Sequence, residues 1–357
     1  MNLKNTLANF LAVAALAATL SVCAAAHTAP IESEIEIGSL LTSAPAATID
    51  RPTTCQQSQL TVALEAGQPA TYHVTGQLCY KPNNKNIVHL LVSGATYSRV
   101  YWDFPLQPQQ YSYVRALTNA GYATFNFDRI GIGESDHPPA DQVTVQSNAF
   151  VVHQIVQALR DGRLGTFAKV ILVGHSLGSG VATVEAAQYG DADGLVLTSF
   201  LHAAGPGFAQ IPALFYPASL DPRFAGQNLP DGYFTTVSGG RSTFYWTPNA
   251  DPDVIALDEL TKETLTLGEI MTFPPLVFSP GSVQGISAPV LIVMGQYDNG
   301  FCTPPSCAEA YVEPNYYPSA QVEVKVMPNA GHDLSLQRNA PAFFATVLEW
   351  SNRHFGN

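Results

Sequence analysis

Positive charge is scarce in this sequence. Only 16 of the 357 residues are Lys or Arg, against 28 that are Asp or Glu, and the formal net charge at pH 7 is −12. Such a balance repels nucleic-acid backbones and anionic membrane surfaces, so it argues against both as partners. Charged residues make up only 12% of the chain, whereas Gly and Pro are plentiful. This composition favours a stable extracellular protein with many ordered loops.

Long hydrophobic runs are also lacking, except near the N-terminus. Lys4 precedes an apolar stretch over residues 7–22, and residues 23–26 read Cys-Ala-Ala-Ala. A positive start, a short apolar stretch and small residues predict a signal peptide over residues 1–26, hence a secreted protein, extracellular or periplasmic. A membrane anchor, or lipidation at Cys23, is the alternative, although the stretch is shorter than the roughly 20 strongly apolar residues that span a bilayer.

Cysteine is sparse as well. Five are present, and removal of Cys23 with the signal peptide leaves an even number in an oxidising compartment, which favours disulfides. The most economical pairing is Cys55–Cys79 and Cys302–Cys307, with other connectivities open. Because no His or second Cys pair stands nearby at ligand spacing, no metal site is predicted.

The hydrophobic pattern divides the chain into three parts after residue 26. Residues 27–57 have no convincing period and are predicted to be an N-terminal arm. Residues 58–200 and 286–357 alternate apolar strand patterns with helical ones, which predicts helices packed on a parallel sheet. Residues 201–285 between them are rich in Pro and aromatic residues, and so long an irregular segment predicts a cap or lid with a function of its own.

The strongest motif is Gly-His-Ser-Leu-Gly at residues 174–178. An apolar strand pattern ends just before it and a helical pattern begins just after it, which is the context of a nucleophile elbow. Ser176 is therefore the predicted nucleophile. The backbone N–H of Leu177, at the start of that helix, is a predicted oxyanion donor.

A serine hydroxyl needs a base, and the base needs a carboxylate to orient it. His332 follows Gly331 just after the last predicted strand, and Asp298 follows the strand pattern before it. The predicted triad is Ser176, Asp298 and His332. Asp333 is adjacent to the histidine and poorly placed to bond its ring, so a structural role is expected for it.

The second oxyanion donor is expected in the loop after the strand pattern at 87–92. Gly94 permits the chain to turn so that the N–H of Ala95 faces the site. The predicted substrate pocket comprises Gly94, Thr96, Tyr97, Trp102 and His175. The segment 128–135, which contains Gly131 and Gly133, resembles a dinucleotide fingerprint only superficially, because no helix follows it directly. It is interpreted as a structural loop that supports the nucleophile's turn.

Taken together, the motifs at 174–178, 298, 331–332, 93–95 and 128–135 resemble the α/β-hydrolase superfamily from about residue 58 to the C-terminus. The resemblance implies an α/β fold with a mostly parallel eight-stranded sheet flanked by helices, a lid inserted after strand six, and no cofactor. Many members have His-Gly where this chain has Ser93-Gly94, which puts the loop's detailed geometry in doubt. A Ser nucleophile argues against the epoxide hydrolases and haloalkane dehalogenases, which use Asp.

The expected function is hydrolysis of a carboxylic ester or lactone with an apolar or aromatic substrate, through an acyl-enzyme on Ser176. A small-molecule ester is the expected partner, without nucleic acid or stable membrane insertion, and a monomer is favoured. Thioesterase, peptidase or acyltransferase chemistry would use the same triad, while a cofactor-free peroxidase is less favoured. Two alternatives lie in other classes: a binding protein that kept the fold, and an oxidoreductase using the glycine-rich segment around Gly131.

Overall fold

A computed structural model describes residues 52–279 and 281–356. The predicted signal peptide and most of the predicted arm lie outside this range. No helix within the described range is long and apolar enough to cross a membrane.

The core of the fold is an eight-stranded sheet. In chain order the strands of the described residues are β1 (Thr54–Val62), β2 (Tyr72–Tyr80), β3 (Ile87–Val92), β4 (Ala123–Phe127), β5 (Lys169–His175), β6 (Gly194–Thr198), β7 (Phe215–Pro217), β8 (Tyr233–Thr236), β9 (Leu265–Thr266), β10 (Val290–Gly295) and β11 (Val322–Met327). The large sheet has the order β1-β2-β4-β3-β5-β6-β10-β11. Strands β1 and β2 pair antiparallel, as does β2 with β4, and every other pairing in it is parallel. This confirms the predicted sheet.

Helices cover both faces of this sheet. The α-helices of the described residues are α1 (Pro108–Tyr111), α2 (Tyr113–Asn119), α3 (Val145–Arg160), α4 (Leu177–Gln188), α5 (Pro252–Thr261), α6 (Leu267–Val277) and α7 (Ala340–Phe355), of which α5 and α6 lie between β6 and β10. One buried apolar cluster includes residues of α3 and α4, and a second includes residues of α2 and α7. Strands β3 and β5 contribute to both clusters because their alternating side chains point to opposite faces. The central strands are therefore apolar almost without interruption.

The cysteine pairs lie where the sequence placed them. Cys55 and Cys79 are partners in the β1–β2 register, and their sulfurs are at bonding distance. Cys302 and Cys307 also form a pair, in the loop after β10. Strand β1 begins at Thr54, so the sheet starts inside the range 27–57 that was assigned to the arm.

The segment between β6 and β10 forms its own substructure. It contains the three-stranded sheet β7-β8-β9, helices α5 and α6, and several short 3₁₀ turns. We call residues 201–285 the insertion. Pro206, Pro212 and Pro217 fall in or beside its 3₁₀ turns and its first strand, where missing N–H groups disturb little.

Candidate active site

Ser176 occupies a sharp turn between a strand and a helix. Strand β5 ends at His175 and α4 starts at Leu177, and Ser176 between them has φ 52° and ψ −118°. A non-glycine residue rarely adopts this conformation, and such strain is typical of a nucleophile elbow. A Cβ at position 178 would overlap the carbonyl oxygen of Val92. The second glycine of the motif is therefore required by this close approach.

The loop after β3 lies directly against this turn. A Cβ built on Gly94 would come within 3.2 Å of Ser176 Cβ and within 2.9 Å of His175 Cδ2. Ala95, Ser176 and Leu177 line the same cavity. This placement is compatible with an oxyanion site formed by the N–H groups of Ala95 and Leu177, which stays a prediction.

His332 and Asp298 form a hydrogen-bonded pair at the same edge of the sheet. His332 Nδ1 lies 2.9 Å from Asp298 Oδ2, and the Asp298 side chain is only 1% exposed. Each residue sits in the loop that follows a parallel strand, β11 for His332 and β10 for Asp298. The two loops are joined because Tyr297 N–H donates to the carbonyl of Ala330 at 2.8 Å. Asp298 and His332, which are far apart in the sequence, are therefore brought together in space.

The electrostatic environment suits a base. Burial alone lowers the pKa of His332, but the negative charge and the hydrogen bond of Asp298 outweigh it, so the pKa lies above its ordinary value. Because Asp298 approaches Nδ1, it favours the tautomer in which Nε2 is free to accept a proton. Ser199 Oγ donates to the backbone carbonyl of His332 at 2.6 Å and fixes its loop from β6.

The His332–Asp298 pair lies close to Ser176. The ring of His175, the residue before Ser176, lies 4.9 Å from the ring of His332 between centroids. His332 and Asp298 line a cavity of about 220 Å³, and Ser176 lines an adjoining one of about 360 Å³. The two cavities share Ile211 of the insertion. All three residues predicted for the triad are thus gathered at one edge of the sheet.

The cavity at Ser176 is lined by residues other than those predicted for the substrate pocket. Gly94, Thr96, Tyr97, Trp102 and His175 are buried in the protein interior and do not line this cavity. Thr96 has φ 59°, which turns its side chain away toward the insertion, and the Tyr101 ring stacks on His175 at 4.3 Å. Most of the cavity wall instead comes from apolar side chains of the insertion: Phe208, Ile211, Pro212, Phe215, Phe234, Leu265, Leu267, Ile270, Phe273 and Pro274.

A buried polar network lies behind the residues predicted for the triad. Asp333 Oδ2 accepts a 2.5 Å hydrogen bond from Tyr97 Oη, and its Oδ1 lies 3.3 Å from His175 Nε2. Tyr97 in turn lies under the Arg241 guanidinium, 3.7 Å from the ring centroid. Arg241 forms an ion pair with Asp258 at 2.9 Å. The structural role expected for Asp333 is therefore visible in its contacts.

The two carboxyl groups of this network have raised pKa values. Burial raises the pKa values of both Asp258 and Asp333 to about 6, against the pull of Arg241. The charge of Asp333 also raises the pKa of Asp258, and the charge of Asp298 raises the pKa of Asp333. The Arg241 guanidinium is therefore the buried positive charge of a network that contains two carboxylates, Asp258 and Asp333. Asp333 directly follows His332 in the chain and lies close to His175, which directly precedes Ser176.

Two buried arginines hold the loop that carries Ala95. Arg241 donates to Thr96 Oγ1 at 2.7 Å. On the other side, Arg129 donates to the carbonyls of Ser93 and Gly94 at 3.0 and 3.2 Å, and it pairs with Glu269. Both carboxylate partners, Asp258 and Glu269, belong to the insertion. We call Arg129 and Arg241 the loop-holding arginines.

Neither arginine is among the residues predicted from the sequence to shape the site. Arg129 falls in the glycine-rich segment, and the structure shows that it holds the loop after β3. The Asp128 carboxylate accepts hydrogen bonds from the N–H groups of Arg99 and Glu134, and a Cβ on Gly133 would overlap it. Within this loop, the N–H of Glu134 is thus bonded to Asp128 and the N–H of Gly133 to Glu263, which argues against these amides binding a dinucleotide phosphate and so against the oxidoreductase alternative. The sequence does carry a signal for Arg129: it is a charged residue just after the buried strand β4, in a chain with little charge.

A mostly parallel sheet that carries a strained serine at a strand-to-helix turn, with a His–Asp pair on the following loops, defines the α/β-hydrolase fold. The chain belongs to the alpha/beta hydrolase family, whose model matches residues 90–347. This confirms the resemblance found in the sequence.

Solved structures agree with this assignment at the level of the fold. An esterase from Thermogutta terrifontis is 18% identical, with a TM-score of 0.54, and the match covers 84% of this chain and 99% of that one. A monoacylglycerol lipase from Paleococcus ferrophilus is 16% identical, with a TM-score of 0.55 and coverage of 84% and 99%. A monoglyceride lipase from Saccharomyces cerevisiae, solved with a substrate analogue, is 16% identical, with a TM-score of 0.58 and coverage of 84% and 97%. Among curated protein sequences, none matches this chain.

Proposed function

We propose that this protein is a serine esterase. The observation that carries the proposal is the strained Ser176 in the wall of an apolar cavity, beside the hydrogen-bonded pair His332–Asp298. Esterases and monoacylglycerol lipases among the similar solved structures support ester bonds as the target.

The reaction follows from the geometry. Ser176 Oγ attacks the ester carbonyl carbon while His332 Nε2 takes the hydroxyl proton, and Asp298 stabilises the imidazolium. The N–H groups of Ala95 and Leu177 hold the oxyanion. Collapse of the tetrahedral intermediate expels the alcohol, which receives the proton from His332. Water then attacks the acyl-enzyme by the same steps in reverse and releases the acid.

The cavity supports an apolar acyl group. Its volume of about 360 Å³ is at the small end of the range for ligand pockets, roughly 300–1,000 Å³. Glu269 is the charged residue in its wall, and Arg129 neutralises it. We therefore propose short to medium acyl chains or an aromatic acyl group, with the insertion acting as a cap over the site.

A covalent probe and a substrate series test this function. A fluorophosphonate should label the protein once, and peptide mapping should find the adduct on Ser176. Among p-nitrophenyl esters, kcat/KM should rise from acetate to an intermediate chain length and then fall when the chain outgrows the cavity. Absence of labelling together with no turnover of esters or lactones would leave a binding protein on this fold as the better interpretation. A faster reaction with thioesters or aminoacyl amides would redirect the proposal to those bonds.

The pH dependence of the reaction should report on His332. The base must be neutral to accept the serine proton, and its pKa is raised, so kcat/KM should increase with pH with an inflection above 6.5. In Asp298→Asn the raising charge is lost, so the inflection should move to lower pH, while kcat falls by roughly 10³–10⁴-fold. The pH–rate profiles of both proteins check this, and an unchanged inflection in Asp298→Asn would contradict the assigned role.

Secretion is part of the proposal. The cysteine pairs Cys55–Cys79 and Cys302–Cys307 at bonding distance and the N-terminal apolar stretch support export to an oxidising compartment. Expression of the full chain in a secreting host, followed by N-terminal sequencing of the protein in the medium, should find a start near residue 27. Retention of the uncleaved N-terminus in the cells would contradict export.

A further inference from the structure

A second cluster of ionisable side chains lies away from the active site. His153 on α3, Glu185 on α4 and Asp191 in the loop after α4 each offer one ligand atom, and these three atoms lie within 4.8 Å of one another. His153 Nδ1 is 2.8 Å from Asp191 Oδ2, but the contact does not have hydrogen-bond geometry. Three separate segments therefore present nitrogen and oxygen atoms to a common point.

Glu185 is the member that calls for an explanation. Its side chain is fully buried, and no N–H or O–H group of the described residues donates a hydrogen bond to either carboxylate oxygen. A buried carboxylate without a donor is costly, so Glu185 must either keep a proton at neutral pH or face a cation.

The spacing fits a small divalent ion. Zinc binds imidazole nitrogen and carboxylate oxygen at about 2.1 Å, which places the ligand atoms of a tetrahedral site about 3.4 Å apart. In the cluster, His153 Nδ1 and Asp191 Oδ2 are 2.8 Å apart, and the three ligand atoms lie within 4.8 Å of one another, so their separations are of the size that one such ion requires.

We propose that His153, Glu185 and Asp191 bind one divalent transition-metal ion of the zinc class. Two carboxylates balance the double charge, and the imidazole nitrogen favours zinc over calcium, which prefers oxygen ligands. Water would complete the coordination.

The surroundings of the cluster also orient its ligands. Gln157 donates to Asp191 Oδ2 at 2.5 Å, and the His153 ring stacks on Tyr189 at 4.1 Å. The Arg160 guanidinium is the neighbouring positive charge. It donates to the Asp191 carbonyl at 2.6 Å and is paired with the Asp193 carboxylate at 2.7 Å, so it is neutralised by a residue outside the cluster. Such outer contacts typically fix the geometry of metal ligands.

The role of such an ion is structural. Glu185 lies on the same helix as the elbow but roughly 14 Å from Ser176 by the helical rise. The metal would join α3, α4 and the loop after α4, and it would take no part in the esterase reaction. The inference therefore does not depend on the function proposed above.

Zinc binding to the purified protein tests the site. The protein should carry no histidine tag, be dialysed against EDTA with its disulfides intact, and be titrated with ZnCl₂ near pH 7.5 by calorimetry and thermal unfolding. Wild type should bind one Zn²⁺ per chain, with a higher Tm in its presence. In Glu185→Gln the affinity should fall about tenfold or more, and the Tm increment should disappear. Because Gln resembles the protonated carboxyl, this variant should fold with an unchanged or higher Tm in the absence of metal.

Two further variants sharpen the result. His153→Asn removes the nitrogen ligand and should lose zinc binding in the same way. Glu323→Gln is the matched control, since Glu323 also contacts a histidine, His354 at 2.9 Å, on the surface. It should bind zinc like wild type. The proposal is overturned if wild type binds no zinc in the micromolar range, or if Glu185→Gln binds it as well as wild type does. A raised Tm in Glu185→Gln without any zinc effect in wild type would show a proton shared between Glu185 and Asp191 instead.

Discussion

Ser176→Ala should abolish ester turnover. Without the hydroxyl no acyl-enzyme forms, and kcat is expected to fall on the order of 10⁴-fold or more. The fold should be unaffected, because alanine keeps the Cβ and the backbone of the turn is held by the Ser176 N–H bond to the Thr198 carbonyl at 2.9 Å. Steady-state kinetics with the best p-nitrophenyl ester, together with Tm, checks both statements.

The residual activity of this variant is informative. The oxyanion donors and the cavity remain, so a small acceleration over the uncatalysed reaction is expected to survive. Ser219→Ala is a suitable control, because Ser219 is an exposed serine of the insertion. It should keep wild-type kinetics and labelling. If Ser176→Ala retained more than a small fraction of wild-type kcat, another residue would have to be the nucleophile.

The regular parts of the fold could be predicted from the sequence because they depend on local patterns. Strands β3, β5 and β10 are continuous apolar runs, and the buried side chains of α3 and α7 recur at helical spacing. The triad candidates could be predicted because each one follows a strand of a parallel sheet. The carboxyl ends of such strands meet at one edge, so positions far apart in sequence become neighbours.

The pocket could not be predicted in the same way. Thr96, Tyr97 and His175 stand beside the motif residues in the sequence, but their side chains are buried in the interior. Thr96 and Tyr97 have polar partners there, and the His175 ring packs against aromatic rings. The partners of Thr96 and Tyr97 come from Arg241 and Asp258, which are more than 140 positions away. The cavity wall depends on how the insertion folds, and its short turns have no period that a sequence pattern can show.

The scarcity of positive charge makes the buried arginines informative. In a chain with only 16 basic residues, a fully buried arginine is costly and is kept only with several partners. Arg129 and Arg241 are both fully buried, and each joins the insertion to the loop that carries Ala95. The insertion is therefore attached to the loop after β3 through one ion pair, Glu269 with Arg129, and one hydrogen bond, Arg241 to Thr96, in addition to its apolar contacts.

Arg241→Met should impair both stability and catalysis. The change leaves Asp258 buried beside Asp333 without a cation, and breaking a buried pair in this way costs about 3–5 kcal/mol. The loss of stability should be largest above pH 6. The pKa of Asp258 is already raised to about 6, and without Arg241 it rises further, so at lower pH the carboxyl takes up a proton and loses its charge.

Catalysis should suffer because Thr96 loses the donor that holds its side chain, and a misplaced Ala95 N–H is expected to lower kcat by roughly 10–100-fold. Urea unfolding at pH 5 and pH 8, with kcat and KM measured separately, checks these effects.

The double variant Arg241→Met/Asp258→Asn separates the two roles of the arginine. It removes the unpaired charge, so much of the stability should return, while kcat should stay low because the bond to Thr96 Oγ1 is still missing. Arg353→Met is the matched surface control. That arginine pairs with Glu323 and Glu349 but is 47% exposed, and exposed pairs contribute only about 0–1 kcal/mol. If the double variant recovered kcat together with stability, Arg241 would serve only to neutralise Asp258. If kcat stays low after stability returns, the guanidinium positions the loop beside Ser176, and the insertion then contributes to the oxyanion site as well as to the pocket.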